Sequence, residues 1–221
     1  MTPIDVLFGP FGDRATYTCR RVPWRLLVGA WAVCATLVLT RAATADSAID
    51  LLPFIRLTSV TFAAVGVFAL DDPAGSVTAS TRAGRLRLRM AAVAATGLTA
   101  CGAWLSVVVI ARAITGNPHE LPVPGLLVEL VALSAVGWAI AATLGSATGG
   151  PDVSTRAVGA LVILVALTLS TPRLIHWLWV GPGSEWDRSH IRWAVIACAA
   201  LATFAWISRD PARRRPQRHR P

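Results

Sequence analysis

Lysine is absent from this chain of 221 residues, and charged residues of any kind make up only 15% of it. All 21 basic residues are arginines, a bias typical of genes from GC-rich bacterial genomes. Apolar residues reach 54% of the chain, and its mean hydropathy is +0.57. These totals exclude a disordered, collagen-like or disulfide-stapled protein, and they are too apolar for a soluble globular protein of average composition.

Motifs for catalysis and metal binding are missing as well. The chain contains no P-loop, no H-E-x-x-H, no G-x-S-x-G and no dinucleotide-binding fingerprint, so we expect no enzyme activity and no cofactor. The four cysteines lack the spacing of a zinc site. Three histidines, His119, His176 and His190, are far apart in the sequence, and we expect lone interfacial side chains rather than a metal site.

Long apolar runs are what the sequence does contain. A bilayer core about 30 Å thick takes roughly 20 apolar residues in helical conformation. Six stretches meet this requirement approximately, at 24–40, 51–70, 90–111, 121–144, 157–171 and 191–208. Each is expected to be a helix, because the bilayer core offers no water to the backbone. The sequence therefore predicts an all-α polytopic membrane protein with a six-helix transmembrane domain at 24–208.

Arginine is distributed unevenly among the segments that connect these runs. The amino-terminal flank, the loop after the second span and the tail are rich in arginine, and the loop after the fourth span holds Arg156. The remaining loops together hold five arginines beside several carboxylates. The positive-inside rule then predicts that both termini are cytoplasmic, in a bacterial cell membrane. Membrane topology also explains the net charge of +9 better than nucleic-acid binding does.

The two ends of the chain lie outside the predicted spans. Residues 1–23 form either an amphipathic segment on the membrane surface or a flexible leader. Arg20 and Arg21, the following apolar run and the small residues at 43–45 also fit a signal peptide, in which case residues 1–45 are cleaved. Residues 209–221 are an arginine-rich cytoplasmic tail.

Two ionisable residues interrupt the apolar spans. Arg56 and Glu129 lie in helices that are predicted to run in the same direction, at depths that differ by only a few ångströms. A charge at membrane depth costs about 2.5 to 3.5 kcal/mol, so we expect the two to pair. The pair is either part of a substrate path or a structural link between helices; alternatively, Arg56 extends to the headgroups. An intramembrane enzyme that uses Glu129 with His119 or Glu120 is disfavoured, because no nucleophile and base are evident.

The loop at 71–89 is a candidate docking surface for a cytoplasmic partner. Proline and two carboxylates end the second span, and arginines lead into the third. The alternative is a solvated linker whose arginines bind lipid headgroups. The residues that would contact a partner are Asp71, Asp72, Arg82, Arg85, Arg87 and Arg89.

The outer segment after Thr171 combines proline, glycine and tryptophan. Its composition indicates a re-entrant segment, which enters the outer leaflet and returns before the sixth span; the alternative is one long fifth helix kinked at Pro172. The residues assigned to this segment are Pro172, Arg173, His176, Trp177, Trp179 and Glu185.

Two further patterns concern packing. Trp104 and Trp138 lie deep in their spans, where core packing is the favoured interpretation over the lining of a cavity. Small residues recur every four positions along the third span and predict a face for close helix contact. That face consists of Ala91, Ala95, Thr99 and Ala103.

The layout of six spans, a leader, a cytoplasmic loop and a re-entrant segment resembles the membrane subunit of type 2 ABC exporters. The loop sequence DDPAGSVTAST and the ending SRDPARRR are similar to those of small permeases from GC-rich bacteria. The resemblance implies a homodimer or heterodimer with a conduit at its interface and an ATP-binding cassette subunit docked on the 71–89 loop. It also implies a lipid-like, peptide or drug-like cargo. The alternative function is that of a non-transporting accessory or scaffold protein.

Overall fold

The structure, a computed structural model, describes residues 22–45, 47–70, 85–115, 121–148 and 152–209. Within these ranges the chain is helical and contains no β-strand, which confirms the predicted all-α fold. Short 3-10 segments, Ala48–Leu51 and Phe68–Leu70, flank the second helix. The α-helices are α1 (Trp24–Ala42), α2 (Leu52–Val67), α3 (Arg85–Thr115), α4 (Val123–Thr148), α5 (Val153–Ser170), α6 (Pro172–Leu178) and α7 (Trp186–Ile207).

Six of these helices are long and apolar enough to cross a membrane, which confirms the predicted number of spans. The exception is α6, whose 7 residues extend over only about 10 Å. The chain therefore has the architecture of a multi-pass membrane protein. The candidate spans are Trp24–Ala42, Ile49–Leu70, Arg89–Thr115, Val123–Ala147, Val153–Ser170 and Trp186–Ile207.

Three of the spanning helices, α3, α5 and α7, begin earlier than the apolar runs that predicted them. Helix α7 begins at Trp186 rather than at residue 191, and α5 begins at Val153 rather than at 157. Helix α3 begins at Arg85, so residues 85–89 of the predicted loop are helical. The reason is that backbone hydrogen bonding continues beyond the hydrocarbon until a turn ends it, whereas hydropathy marks only the apolar part.

Helices α2 and α4 form the centre of the bundle. In each of them 61% of the most apolar 18-residue window is buried, compared with 17% in α5 and 22% in α7. Helix α4 packs against α2, α5 and α7, and α2 also packs against α1 and α3. The outer helices therefore present most of their apolar surface to their surroundings, as lipid-facing helices do.

Two tryptophans fill the interior as the sequence predicts. Trp104 is fully buried in the core formed by α1, α2 and α3, and Trp138 is 7% exposed. The Trp138 ring lies between Gly66 on α2 and Gly97 on α3: a Cβ added at Gly97 would be 3.2 Å from the ring. Glycine at these positions lets three helices approach one large side chain.

The predicted small-residue face of α3 is confirmed only in part, since Ala95 and Ala103 pack against the core at its edge. Ala91 is exposed, and Ala95, Thr99 and Ala103 are only half-buried. The buried stripe is the neighbouring one, formed by Ala92, Thr96, Ala100 and Trp104. Both stripes repeat every four residues, and burial of the large Trp104 side chain determines which of them faces the bundle.

The helix ends fall into two groups, which define two ends of the bundle. At one end, which we call the cluster end because Arg56 and Glu129 lie near it, α2, α4 and α7 begin. At the opposite end, α1, α3 and α5 begin: there Arg89 Nη1 on α3 lies 3.5 Å from Ser208 Oγ after α7. Ser154 Oγ on α5 likewise donates to the Val67 carbonyl at the end of α2, over 3.3 Å.

Some predicted features lie outside the described residues. These are the leader up to residue 21, the tail from residue 210 and the part of the docking loop at 71–84, which includes Asp71, Asp72 and Arg82.

Candidate functional site

The structure brings Arg56 and Glu129 together as an ion pair. Arg56 Nε donates to Glu129 Oε2 over 2.9 Å, and Arg56 Nη2 donates to Oε1 over 2.7 Å. The Glu129 side chain is fully buried, and the Arg56 side chain is 11% exposed. Two parallel hydrogen bonds between a guanidinium and a carboxylate are a strong and directional arrangement. The interpretation in which Arg56 extends to the headgroups is therefore wrong.

The pair lies inside the candidate spans, not at their ends. Arg56 lies about 10 Å along its span from Ile49, and Glu129 lies about 9 Å along its span from Val123. The matching depths arise because α2 and α4 begin at the same end of the bundle and pack against each other.

Arg56 also holds the segment that connects α6 to α7. Its Nη1 donates to the Trp179 carbonyl over 3.1 Å, and its Nη2 donates to the Val180 carbonyl over 2.7 Å. Its guanidinium carbon lies 5.5 Å from the ring of Trp179 and 5.7 Å from the ring of Trp186. One side chain on α2 thus supplies hydrogen bonds to the carboxylate and to two backbone carbonyls.

His190 on α7 completes this cluster. Its Nε2 lies 3.2 Å from Glu129 Oε1, and its side chain is 10% exposed. Its Nδ1 lies 2.7 Å from the Trp186 carbonyl, which can only accept, so Nδ1 carries the hydrogen. Nε2 is directed at the carboxylate without an aligned hydrogen bond. We refer to Arg56, Glu129 and His190, with the Trp179 and Val180 carbonyls, as the Arg56 cluster.

A glycine on α4 makes room for this contact. A Cβ added at Gly125 would lie 2.7 Å from His190 Nε2 and 2.7 Å from Cζ2 of Trp186. The two rings are themselves in contact, with centroids 4.1 Å apart. Any larger residue at position 125 would push α7 away from α4.

The geometry of the Arg56 cluster favours the structural interpretation over a substrate path. Both carboxylate oxygens of Glu129 accept hydrogen bonds, and Arg56 makes four. Few hydrogen-bonding positions are left for a substrate. A buried, fully hydrogen-bonded pair fixes the relative positions of the elements that carry it.

The outer segment is a separate element and not the continuation of α5. Helix α5 ends at Ser170, and Thr171 has extended backbone angles, φ −103° and ψ 108°. Pro172 then occupies the first turn of α6. The interpretation of one long kinked helix is therefore wrong. The segment folds back far enough for its Trp179 and Val180 carbonyls to reach Arg56.

The residues assigned to this segment differ in what they contact. Trp179 is buried, and its Nε1 donates to Thr168 Oγ1 on α5 over 3.2 Å. Glu185, the residue before α7, pairs with Arg188 at 2.7 Å. The remaining four are exposed, and these are Pro172, Arg173, His176 and Trp177.

The described part of the predicted docking loop is residues 85–89, which carry three arginines in the first turns of α3. Arg87 is exposed, and Arg89 is half-buried beside Ser208. Arg85 is the first residue of the helix. They therefore lie at the opposite end of the bundle from the Arg56 cluster.

His190 is the member of the cluster that the sequence did not reveal. We expected a lone interfacial histidine, and the structure instead buries it against Glu129. A signal was present: His190 follows Trp186 by four residues, so both lie on one helical face once the helix is extended to its true start.

Comparison of the chain with protein families, with curated proteins and with solved structures gives no match.

Proposed function

We propose that this chain is the transmembrane subunit of an ATP-driven exporter in a bacterial cell membrane. In this proposal both termini are cytoplasmic, and a separate ATPase subunit docks on the 71–89 loop. The observation that carries it is the six-span bundle with the short helix α6 between the fifth and sixth spans. This is the layout on which the resemblance to type 2 ABC exporters rests.

The exposed outer helices support the proposal. Only 28% of the apolar window of α1 and 17% of that of α5 are buried within the chain. A second membrane subunit therefore has apolar surface available to it, and a conduit at a subunit interface needs no channel inside one copy. The centre of each copy is filled by side chains such as Trp104, Phe62 and Trp138.

Co-purification tests the proposal. The tagged chain is expressed with the nucleotide-binding subunit encoded nearest to its gene, and both ATPase activity and export are measured in reconstituted vesicles. We expect a stable complex that Arg85→Ala with Arg87→Ala weakens. The matched control is Arg173→Ala with Arg188→Ala, which removes two arginines at the cluster end. The proposal fails if no nucleotide-binding subunit associates and the loop variant transports as the unchanged chain does.

A non-transporting accessory or scaffold protein is the second candidate. The observation that favours it is the Arg56 cluster, in which the buried charged groups bind one another and backbone carbonyls of the same chain. In this case the chain stabilises a larger membrane assembly by its shape. Loss of the chain would then lower the amount of the assembled complex, and the assembly would keep its activity per complex.

A further inference from the structure

Arginines occur at both ends of the bundle. At the cluster end, Arg56, Arg112 and Arg192 each donate to a protein oxygen, whereas Arg41 and Arg173 are exposed. At the opposite end, Arg25, Arg156 and Arg209 are exposed and form no ion pair within the residues that the structure describes. Donors of this kind need an acceptor from outside the chain or from water.

Three of these arginines surround the bundle. Arg25 lies at the start of α1, Arg156 in the first turn of α5 and Arg209 just after α7. Helix α1 packs against α2 and α3, α5 packs against α2 and α4, and α7 packs against α4. The three helices therefore stand on different sides of the central pair. We call Arg25, Arg156 and Arg209 the arginine rim.

The rim lies at the boundary of the apolar surface. Trp24, adjacent to Arg25, is 50% exposed, and Trp206 is 60% exposed. The guanidinium carbon of Arg209 lies 5.4 Å from the Trp206 ring. Exposed tryptophans beside arginines are typical of the interface between lipid tails and headgroups, where the ring stays in the apolar layer and the cation reaches water.

We propose that the arginine rim is a binding surface for the headgroups of anionic phospholipids. The three arginines lie on different sides of the bundle, so a single ligand surface must surround it to reach all of them. The planar layer of lipid phosphates does so. A protein partner would instead need basic residues gathered on one side. Guanidinium groups suit this ligand because they bind phosphate oxygens through two parallel hydrogen bonds.

The test uses the full-length chain alone in a mild detergent, without any ATPase subunit, so its outcome is independent of the exporter proposal. Native mass spectrometry measures binding of phosphatidylglycerol and of phosphatidylcholine with the same acyl chains. We expect tighter binding of phosphatidylglycerol. The triple variant Arg25→Gln, Arg156→Gln and Arg209→Gln should bind phosphatidylglycerol about tenfold more weakly or worse. The reason is that each basic residue near the surface contributes to the attraction of anionic lipids.

A matched triple variant controls for net charge. Arg41→Gln, Arg173→Gln and Arg188→Gln remove the same number of exposed arginines from the cluster end. We expect this variant to bind phosphatidylglycerol within about twofold of the unchanged chain, because Arg188 already pairs with Glu185 and Arg41 lies over the Phe54 ring. Equal losses in the two variants, or no loss in the rim variant, would overturn the proposal.

Salt provides a measurement that needs no variant. Raising the ionic strength of the buffer should remove the preference of the unchanged chain for phosphatidylglycerol. At 1 M salt, interactions between exposed charges are screened beyond about 3 Å. A preference that persists at high salt would contradict binding by the rim. A rim variant that keeps its lipids but loses a protein partner would assign the rim to that partner instead.

Discussion

The indole nitrogen of Trp138 on α4 donates a hydrogen bond to the backbone carbonyl of Gly66 on α2, over 3.0 Å. This carbonyl belongs to the last turn of α2, where a backbone N–H at the C-cap also donates to it. The Trp138 side chain on the neighbouring helix supplies a second donor. The contact joins the two central helices of the bundle through both packing and hydrogen bonding.

Replacing Trp138 by phenylalanine should therefore destabilise the bundle by more than lost volume alone. The Gly66 carbonyl loses one of its two donors, and the lost hydrogen bond adds about 0.5 to 1.5 kcal/mol to the cost of the smaller ring. The matched control is Trp104→Phe, since Trp104 is equally buried and its Nε1 has no partner among the described residues. The free energy of unfolding of both variants is measured in mixed micelles. Equal stability of the two variants would contradict the prediction.

Removing Glu129 alone should lower the stability of the fold more than removing the whole ion pair does. Glu129→Leu leaves Arg56 buried without a counter-ion, a change that costs about 3 to 5 kcal/mol in comparable sites. The double variant Arg56→Met with Glu129→Leu replaces both charges by apolar groups and should recover part of that loss. Thermal unfolding of both variants in one detergent provides the measurement. A double variant less stable than Glu129→Leu would refute this reading of the pair.

Arg56→Lys tests whether the guanidinium holds the segment between α6 and α7. Lysine keeps the charge but cannot form two parallel bonds to Glu129 while also donating to Trp179 and Val180. We expect the helices to remain and the amides around residue 180 to exchange faster with deuterium. Amides in the middle of α4 serve as the internal control. Unchanged exchange near residue 180 would show that other contacts hold the segment.

Gly125→Ala should separate α4 from α7 locally. The added methyl group meets the rigid rings of His190 and Trp186, and overpacking of this kind costs about 1 to 3 kcal/mol. Gly159→Ala on α5 is the control, because nothing lies within 4 Å of its added Cβ and alanine favours the helix by up to about 1 kcal/mol. The prediction is that the two substitutions change stability in opposite directions.

Accessibility labelling can determine the orientation. We expect cysteines introduced at Arg87 and Arg209 to react from the cytoplasm, and a cysteine at Gly183 to react from the outside, after replacement of the native cysteines. The physical reason is the excess of arginine in the segments at the opposite end of the bundle. Labelling of residues 87 and 209 from different sides of the membrane would contradict the six-span topology itself.

The number of candidate membrane spans and the Arg56 pair could be predicted from the sequence because each rests on a large energy. Hydrocarbon excludes unpaired backbone groups, so apolar runs of sufficient length become helices. An isolated charge at membrane depth is costly enough that Arg56 and Glu129 had to be considered together. Their spacing from the starts of α2 and α4 then indicated matching depths.

The finer features depend on smaller differences that a single sequence does not resolve. Ala91 and Ala92 head two stripes of small residues that are equivalent by composition, and only the packed position of Trp104 distinguishes them. His190 lies in a polar stretch, so hydropathy placed it before the last span rather than inside α7. The hydrogen bonds to the Trp179 and Val180 carbonyls use backbone atoms, which every residue has, so no side-chain pattern marks them.

The bonds made by Arg56 have a consequence for biosynthesis. Its carboxylate partner lies 73 residues further along the chain, and the carbonyls of Trp179 and Val180 lie 123 and 124 residues further along. The ribosome adds about 5 to 20 residues per second, so α2 emerges several seconds before its partners exist. During that interval the Arg56 guanidinium lacks the carboxylate and both carbonyls that bind it in the folded chain.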